Sequence, residues 1–600
     1  MCAVFGIIGA YDPTLARKAL ALVHHRGPDY CGIVEEGGLF FAHNRLSIID
    51  LDARAHQPMR HDKILLSFNG EIYNHKALRK ELDYPFKSDS DSEVLIAAYL
   101  KWGVDFVNHL VGMFAIALRD GDRLFLFRDR LGKKPLFYFK NRHQFVFASE
   151  IKALKPFLSS ATMNEDAMLS YLSFLAPTPP HTFYQGIEKL EAGSYAEFHN
   201  NTLTCKAYYN PLHVKPNQIK KERDALHVIK QALDEAIGLR LESDVPMASL
   251  LSGGIDSALI AAIAKRKGRD LCTFTLGYDS YQKYDERKNA VKSAALIGVE
   301  NREIIITQDD FIQASDKVFD TLDEPLNDPA AIPLYLLFEG IKKEGYKVVL
   351  SGEGSDELFL GYRQYFEYLD IEKAAILGHK NWLKSYFHGN FSMNREWEWY
   401  KRIFDETLLF RTSGEKFTDL QKNDLLRRNV RDDASLKFLQ PYRNRFEASE
   451  HTHESSWYSY IDLQLFQAEH FLSKLDRVSM AHSIESRTPF LDHKLVELVF
   501  SLEPSLRYGN GITKDLLKKI AAPYLDKEIL QRKKKGFANP YMEWLIASGR
   551  IETIARVNKK TGLFKEDVLS DYIERAKRGK FKQHVWGLYV LSHWMEKELL

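Results

Sequence analysis

Three stretches hold side chains whose type and spacing can do chemistry. The first is MCAVFGIIG at the start of the chain, where Cys2 directly follows the initiator methionine. Removal of Met1 would give Cys2 a free α-amine beside its thiol, and an amine titrating at about pH 8 can take the thiol proton and leave a nucleophilic thiolate. Cys2 also reads as the small apolar start of a buried strand, and its position alone does not choose between the two.

The second stretch is LLSGGIDSA (250–258), which ends an apolar run and opens a helical one. Gly253 and Gly254 let a phosphate approach the backbone, Ser252 and Ser257 offer hydroxyls, and the helix start presents free N–H groups to an anion. The alternative is a tight strand-to-helix turn with Asp256 as its cap. No GxxxxGK[ST] occurs, so this is not a Walker loop. The third stretch, KVVLSGEGSDELFLGY (347–362), delivers another apolar strand into a Gly/Ser loop with Glu353, Asp356 and Glu357. Carboxylates beside a phosphate loop would repel a bare polyphosphate, so Mg2+ between them is expected, with Asp256 and Asp356 as its ligands.

The elements that must position these residues change rhythm along the chain. Up to residue 200 or so, CAVFGIIGAY, FFAHNRLSIID, ILLSFNGEIYN, FAIALRDGDRLFLFRD and QFVFASE read as strands between Gly, Asn and Asp turns, with GDR (121–123) as a hairpin turn. Helical patterns at 14–24, 75–82 and 91–102 interrupt them. The segment YNPLHVKPNQIKK (209–221) has two prolines and a basic run without periodicity, as an interdomain connection does. Beyond it apolar strands (PMASLLSG, LCTFTLGY, REIIIT, YKVVLSG) alternate with helices near 285–297 and 309–321, the pattern of a parallel sheet covered by helices. From about 356 the pattern is mostly helical. The reading is an α+β domain over 1–210, then an α/β domain with a parallel sheet and a helical C-terminal region over 211–600.

At 600 residues the chain has material for several cores, and 45% hydrophobic with 27% charged residues is the composition of a folded soluble protein. A net charge of +2 gives no overall attraction to nucleic acid or anionic lipid, so neither is expected as a partner. Cys2, Cys31, Cys205 and Cys272 form no CxxC pair, which excludes a zinc knuckle and fits a reducing, cytoplasmic setting. No apolar run is long enough to span a membrane.

Taken together, SGGIDS followed by LSGEGSDE resembles the ATP-pyrophosphatase domain of B-type, glutamine-hydrolysing asparagine synthetases. Independently, Cys2, HRGPD (25–29), AHNRLSIID (42–50), NGEIYN (69–74), SDSE (90–93), GMFAIALRD (112–120), RDRLGKKPLFY (128–138) and ASEIKAL (148–154) resemble a class II glutamine amidotransferase domain. The blocks SIESRTPFLDH (483–493), TKDLLKK (513–519) and KKGFANP (534–540) extend the likeness almost end to end. The resemblance implies a four-layer αββα sandwich for the first domain, with Cys2 as N-terminal nucleophile and Asn69 and Gly70 as its oxyanion hole. It implies a glutamine pocket formed by Arg45, Leu46, Ser47, Ile48, Ile49, Asn69, Gly70, Glu71 and Asp91, in which Arg45 faces the α-carboxylate and the two acids face the α-amine. It implies ATP contacts at Leu250, Ser252, Gly253, Gly254, Asp256, Ser257, Leu276, Ser351 and Gly352, with Lys514 and Glu353 acting at the acyl-adenylate.

The implied substrates are glutamine, aspartate and ATP with Mg2+, and a homodimer is the oligomeric expectation. DEPLNDPAAIPLY (323–335) and KLDRVSMAHSIESR (474–487) resemble a wider branch of the family, so an amidotransferase for another carboxylate, such as a uronic acid or a peptide, is the alternative. A scaffold without turnover is disfavoured because Cys2, Asp256, Glu353 and Lys514 all stand in their motif positions. On residue type alone, Lys514, the basic run RKKK (532–535) and HTHE (451–454) read as solvated surface, with pyrophosphate contact the lesser reading of the basic run.

Overall fold

The computed structural model describes residues 2–376, 379–390, 395–431, 434–509, 511–532 and 538–600. The first domain holds two six-stranded antiparallel sheets. In one, Ala3–Gly9 lies at the centre between Leu39–Arg45 and Gln144–Ala148. In the other, Gly112–Asp120 pairs with Ile64–Ile72 and Arg123–Arg128.

Alternation along these strands separates their faces. Val4, Phe41 and Phe147 of the first sheet meet Leu65, Ala115 and Leu126 of the second. Phe5, Ile7 and Phe40 point the other way, toward Ala16 and Leu20 of the helix Pro13–Ala21. On the far side of the second sheet, Phe68, Phe114 and Phe127 pack on Val94, Leu95 and Ala98 of the helix Asp91–Trp102. The hairpin expected at GDR is present: Asp120 pairs with Arg123, and Gly121 at φ +62° starts the two-residue turn.

The second domain is built on a five-stranded parallel sheet in the order Asn301–Ile306, Cys272–Tyr278, Met247–Leu250, Val348–Leu350, Glu485–Arg487. The first four are the strands expected from sequence. The fifth lies in the segment read as helical, and it corrects that reading: three residues with buried side chains, Glu485, Ser486 and Arg487, pair with Val348–Leu350. Such a strand has neither the length nor the apolar content to register as one.

A further correction concerns HTHE. His451 is buried and its Nε2 lies 2.9 Å from the Val214 carbonyl, while His453 caps the helix Glu454–Ile461. No group of three or more metal-ligating side chains occurs among the described residues. Lys533–Lys535 of the basic run lie outside the described residues, as does Met1. Among the described residues no helix is long and apolar enough to cross a membrane.

Candidate active sites

At the start of the first central strand, Cys2 is buried, its backbone N donates to Asn69 Oδ1 at 3.0 Å, and its Sγ lies 3.9 Å from the Leu46 carbonyl. Burial pushes the thiol pKa up, with the Leu46 hydrogen bond and the Arg45 charge opposing. A base must therefore remove the proton before the sulfur attacks. Asn69 Nδ2 is buried with no hydrogen-bond partner among the described residues, so one amide spans the site: its oxygen holds the Cys2 nitrogen and its N–H pair is left to donate to a developing oxyanion. Gly70 has no room for a side chain, since a Cβ would come within 2.0 Å of the Met113 carbonyl.

The remaining residues expected around glutamine are assembled beside this pair. Arg45 is buried and donates to the carbonyls of Ile49, Asp50 and Asp52, fixing the turn that carries Leu46, Ser47, Ile48 and Ile49. Asp91 accepts from the Ile72 N–H at 2.9 Å. Glu71 lies 3.2 Å from Arg487, which also holds Glu485 at 2.7 Å. Three buried carboxylates thus share a neighbourhood with one guanidinium. Burial raises the pKa of Glu71 and of Asp91, so this corner favours an incoming cation such as an α-ammonium.

Sequence reasoning missed how far the second domain reaches into this site. Arg26, fully buried, donates Nε to the Cys2 carbonyl at 3.1 Å and NH1 to Glu150 and Asp476, both at 2.8 Å. Lys134 lies 3.3 Å from the other Asp476 oxygen, and the Ser483 hydroxyl donates to the His25 carbonyl at 2.7 Å. The only sequence signal was that HRGPD and KLDRVSMAHSIESR were both motif blocks; that they meet is a tertiary fact. Neutralising Asp476 removes the buried carboxylate that Arg26 and Lys134 share and leaves Arg26 paired with Glu150 alone. Asp476→Asn is therefore expected to slow glutamine-dependent turnover about tenfold, equivalent to about 1.4 kcal/mol of barrier, with ammonia-dependent turnover much less affected. Parallel assays with the two nitrogen donors check this, and equal losses would refute it.

At the C-terminal ends of the parallel strands lies a cleft of about 590 Å³. It is lined by all the residues expected at ATP, namely Leu250, Ser252, Gly253, Gly254, Asp256, Ser257, Leu276, Ser351 and Gly352, and by Glu353, Asp356 and Lys514. The first loop is closed on itself: Ser257 Oγ accepts from the Ser252 N–H at 3.0 Å, and Ser252 Oγ accepts from the Gly254 N–H at 3.1 Å. Gly254 caps the helix Ile255–Arg266, and Asp256 does not. Its carboxylate turns instead to Lys514.

Lys514 Nζ lies 2.7 Å from both oxygens of Asp256, 2.8 Å from Asp356 and 2.8 Å from Ser355 Oγ. Its side chain is 6% exposed, which overturns the solvated-surface reading. Burial works against its charge, but the two aspartates outweigh that and raise its pKa. The residue stands at φ +54°, ψ +31°, immediately before the helix Asp515–Ala521. This left-handed conformation costs a non-glycine residue about 1–2 kcal/mol, and the ion cluster holds it. Glu353 is raised by burial, with Lys474 opposing and Asp328, Asp356 and Asp256 adding to the rise.

Gly361 was not singled out from sequence. A Cβ there would meet Asp356 Oδ1 at 1.9 Å and Lys514 Cε at 2.4 Å. Overpacking of about 1–3 kcal/mol at this point predicts that Gly361→Ala lowers ATP-dependent synthesis about 10- to 100-fold, whereas hydrolysis of glutamine alone persists. Unchanged synthesis would contradict the clearance argument.

Where the domains meet, Leu46, Ile48, Tyr73 and Met113 of the first pack on Val348 and Met480 of the second, with Ile49, Leu239, Val245 and Met247 alongside. This apolar seam begins at the residue whose carbonyl faces Cys2 Sγ. It ends on the first residues of the strands leading to the two cleft loops.

Comparison with known proteins agrees with this two-site arrangement. Residues 1–209 match a glutamine amidotransferase domain, and residues 228–596 match the asparagine synthase family. The chain is 30% identical to glutamine-hydrolysing asparagine synthetase 1 of Bacillus subtilis over 99% of its own length and 96% of that protein's. It is 29% identical to asparagine synthetase 3 of the same organism, over 85% of this chain and 82% of that one. The similarity extends to the amidase chyE of Penicillium rubens, 29% identical over 88% of this chain and 84% of that protein. The chain is therefore a member of the asparagine synthase family, an enzyme class that joins a glutamine amidotransferase domain to an ATP-using synthetase domain.

Proposed function

We propose that the protein converts aspartate to asparagine in an ATP-dependent reaction, using ammonia released from glutamine at Cys2. The observation that supports this reading most is the Lys514–Asp256–Asp356 cluster at a phosphate-binding loop, in the same chain as the Cys2–Asn69 pair. The first domain is read as an N-terminal-nucleophile fold over 1–210 and the second, 211–600, as the synthetase.

In the first half-reaction the amine of Cys2, freed by removal of Met1, takes the thiol proton. Sulfur attacks the glutamine side-chain carbonyl, and the oxyanion receives hydrogen bonds from Asn69 Nδ2 and the Gly70 N–H. Ammonia leaves with the proton, and water then hydrolyses the thioester to glutamate. Arg45 faces the glutamine α-carboxylate, while Glu71 and Asp91 face its ammonium.

In the second half-reaction an aspartate β-carboxylate oxygen attacks the α-phosphorus of ATP, and pyrophosphate leaves. Lys514 stands where negative charge builds on the adenylate, and its aspartates keep it protonated. Asp256 and Asp356, which Lys514 holds side by side, offer the hard carboxylate oxygens that suit Mg2+, so these two residues would hold it. Bound with ATP, Mg2+ withdraws charge from the polyphosphate. Ammonia attacks the acyl carbon, Glu353 accepts the proton that the nitrogen sheds, and AMP leaves. A carboxylate of raised pKa is the stronger base for that step.

The apolar seam from Leu46 and Ile48 through Met113 to Val348 and Met480 is the proposed ammonia route. Apolar walls favour neutral ammonia over ammonium, which is not a nucleophile. The reading also calls for a reducing compartment, since Cys2 must remain a thiol. The test is AMP formation by the purified protein with ATP, glutamine and a panel of acids. Aspartate-dependent AMP supports the reading, whereas AMP formed only with a uronic acid or a peptide carboxylate replaces it with the alternative acceptor.

A further inference from the structure

The cleft has an end that the nucleotide loops do not account for. There Lys474, from the helix Ser473–Met480, meets Asp328 at 2.6 Å, and Glu353 stands on the neighbouring loop. Lys474 and Asp328 both line the cleft, with side chains only 5% and 9% exposed. An ammonium has three donors, and among the described residues Asp328 Oδ2 is the one hydrogen-bond acceptor recorded for Lys474. Buried donors are normally satisfied, so the remaining capacity of Lys474 is available to an anion entering the cleft.

Asp328 accepts from Lys474 and from the Ala330 N–H, and His470 Nε2 lies 3.7 Å away. Burial holds His470 down to about 4, so at neutral pH it adds no positive charge. Asp328 thus stays a carboxylate with one full cationic neighbour. The pair offers one positive and one negative group side by side, next to the acid beside which the acyl group is activated. Phe471, whose ring centroid lies 4.8 Å from Lys474 Nζ, gives this corner an apolar wall.

We propose that Lys474 and Asp328 form the acceptor subsite for a free α-amino acid, Lys474 receiving its α-carboxylate and Asp328 its α-ammonium, so that the side-chain carboxylate faces Glu353 and the nucleotide. This rests on the reading of the cleft as an adenylate-forming synthetase site. An aspartate inside a peptide has neither free group, and a uronic acid has no ammonium, so neither brings Asp328 the cation proposed for it. Recognition by paired, buried charges discriminates strongly, because an analogue lacking one charge strands the group built to meet it.

The experiment uses the full chain with Mg-ATP and ammonia, measuring KM for L-aspartate and inhibition by succinate, which is aspartate without its α-amine. Asp328→Asn is expected to raise the KM for aspartate about tenfold, leave the KM for ATP unchanged, and leave succinate inhibition within about twofold of the unmodified chain. Lys474→Met is expected to weaken aspartate and succinate alike. Overturning results are equal weakening of aspartate and succinate in Asp328→Asn, or a KM for ATP that rises in step, since either assigns the pair to the nucleotide or to folding. Absence of aspartate-dependent AMP in the unmodified chain, with another acid active, would remove the function reading itself; activity with aspartate but indifference to Asp328→Asn would remove only this subsite.

Discussion

Cys2→Ala abolishes glutamine-dependent synthesis, by about a thousandfold or more, while synthesis from added ammonia at alkaline pH continues. The size of the loss follows from the chemistry: without sulfur no thioester forms, and Asn69 alone cannot supply a nucleophile. Its selectivity follows from the architecture. The hydrogen-bonded link from Cys2 to the second domain runs through its carbonyl, by way of Arg26 and Asp476, and alanine keeps that carbonyl. The cleft loops and Lys514 are therefore left as they are. Assays with the two nitrogen donors at matched ATP and aspartate check the prediction, and equal loss with both would contradict the two-site reading. A chain that retains Met1 should behave like the variant, since the blocked nitrogen cannot act as base and burial keeps the thiol protonated. Intact-mass measurement identifies which form is present.

Lys514→Met produces the mirror-image defect: synthesis falls about a thousandfold or more with either nitrogen donor, whereas hydrolysis of glutamine persists. Two aspartates converge on one ammonium in a largely buried setting, so removing it leaves Asp256 and Asp356 facing each other without compensation. Deleting one partner of a buried ion cluster costs about 3–5 kcal/mol, enough to rearrange the loop end, and the group that meets the adenylate charge goes with it. Lys514→Arg is not expected to rescue, because Gly361 and Ser355 leave little space around Nζ for a planar fork. Retained glutamine hydrolysis shows that the variant folds. Synthesis within a few-fold of normal would remove Lys514 from the mechanism.

The sequence was most informative where function is local in the chain. The SGG and SGEGSDE loops are contiguous, end apolar strands and open helices, and all their expected nucleotide contacts line one cleft. Cys2 and the turn 45–49 converge because Ala3–Gly9 pairs with Leu39–Arg45, and Asn69 joins them from the facing sheet. What was not legible is what the topology adds. Arg26 and Asp476 are 450 residues apart and meet only because the two domains dock. Glu485–Arg487 forms a strand of three residues with two charged side chains, against every propensity for a buried strand, because those charges are paired with one another and with Glu71. Lys514 looked like a surface lysine because nothing local marks a residue whose partners come from two other loops.

The docking of the domains ties these pieces together. The helix Ser473–Met480 sends Lys474 toward the cleft and, two residues on, Asp476 toward the Cys2 carbonyl through Arg26. One rigid element thus touches both sites, and the apolar seam runs beside it through Met480. In the proposed function, nitrogen passes within the protein from the glutamine amide to an ATP-activated carboxylate. The direct measurement supplies glutamine labelled with 15N at its side-chain amide, together with Mg-ATP, aspartate and an excess of unlabelled ammonium, and reads the isotope in the product amide by mass spectrometry. Internal transfer predicts asparagine carrying 15N far above the label content of the free ammonium pool, with one AMP formed per asparagine. Product whose label only matches that pool, or label transfer without AMP, would contradict it.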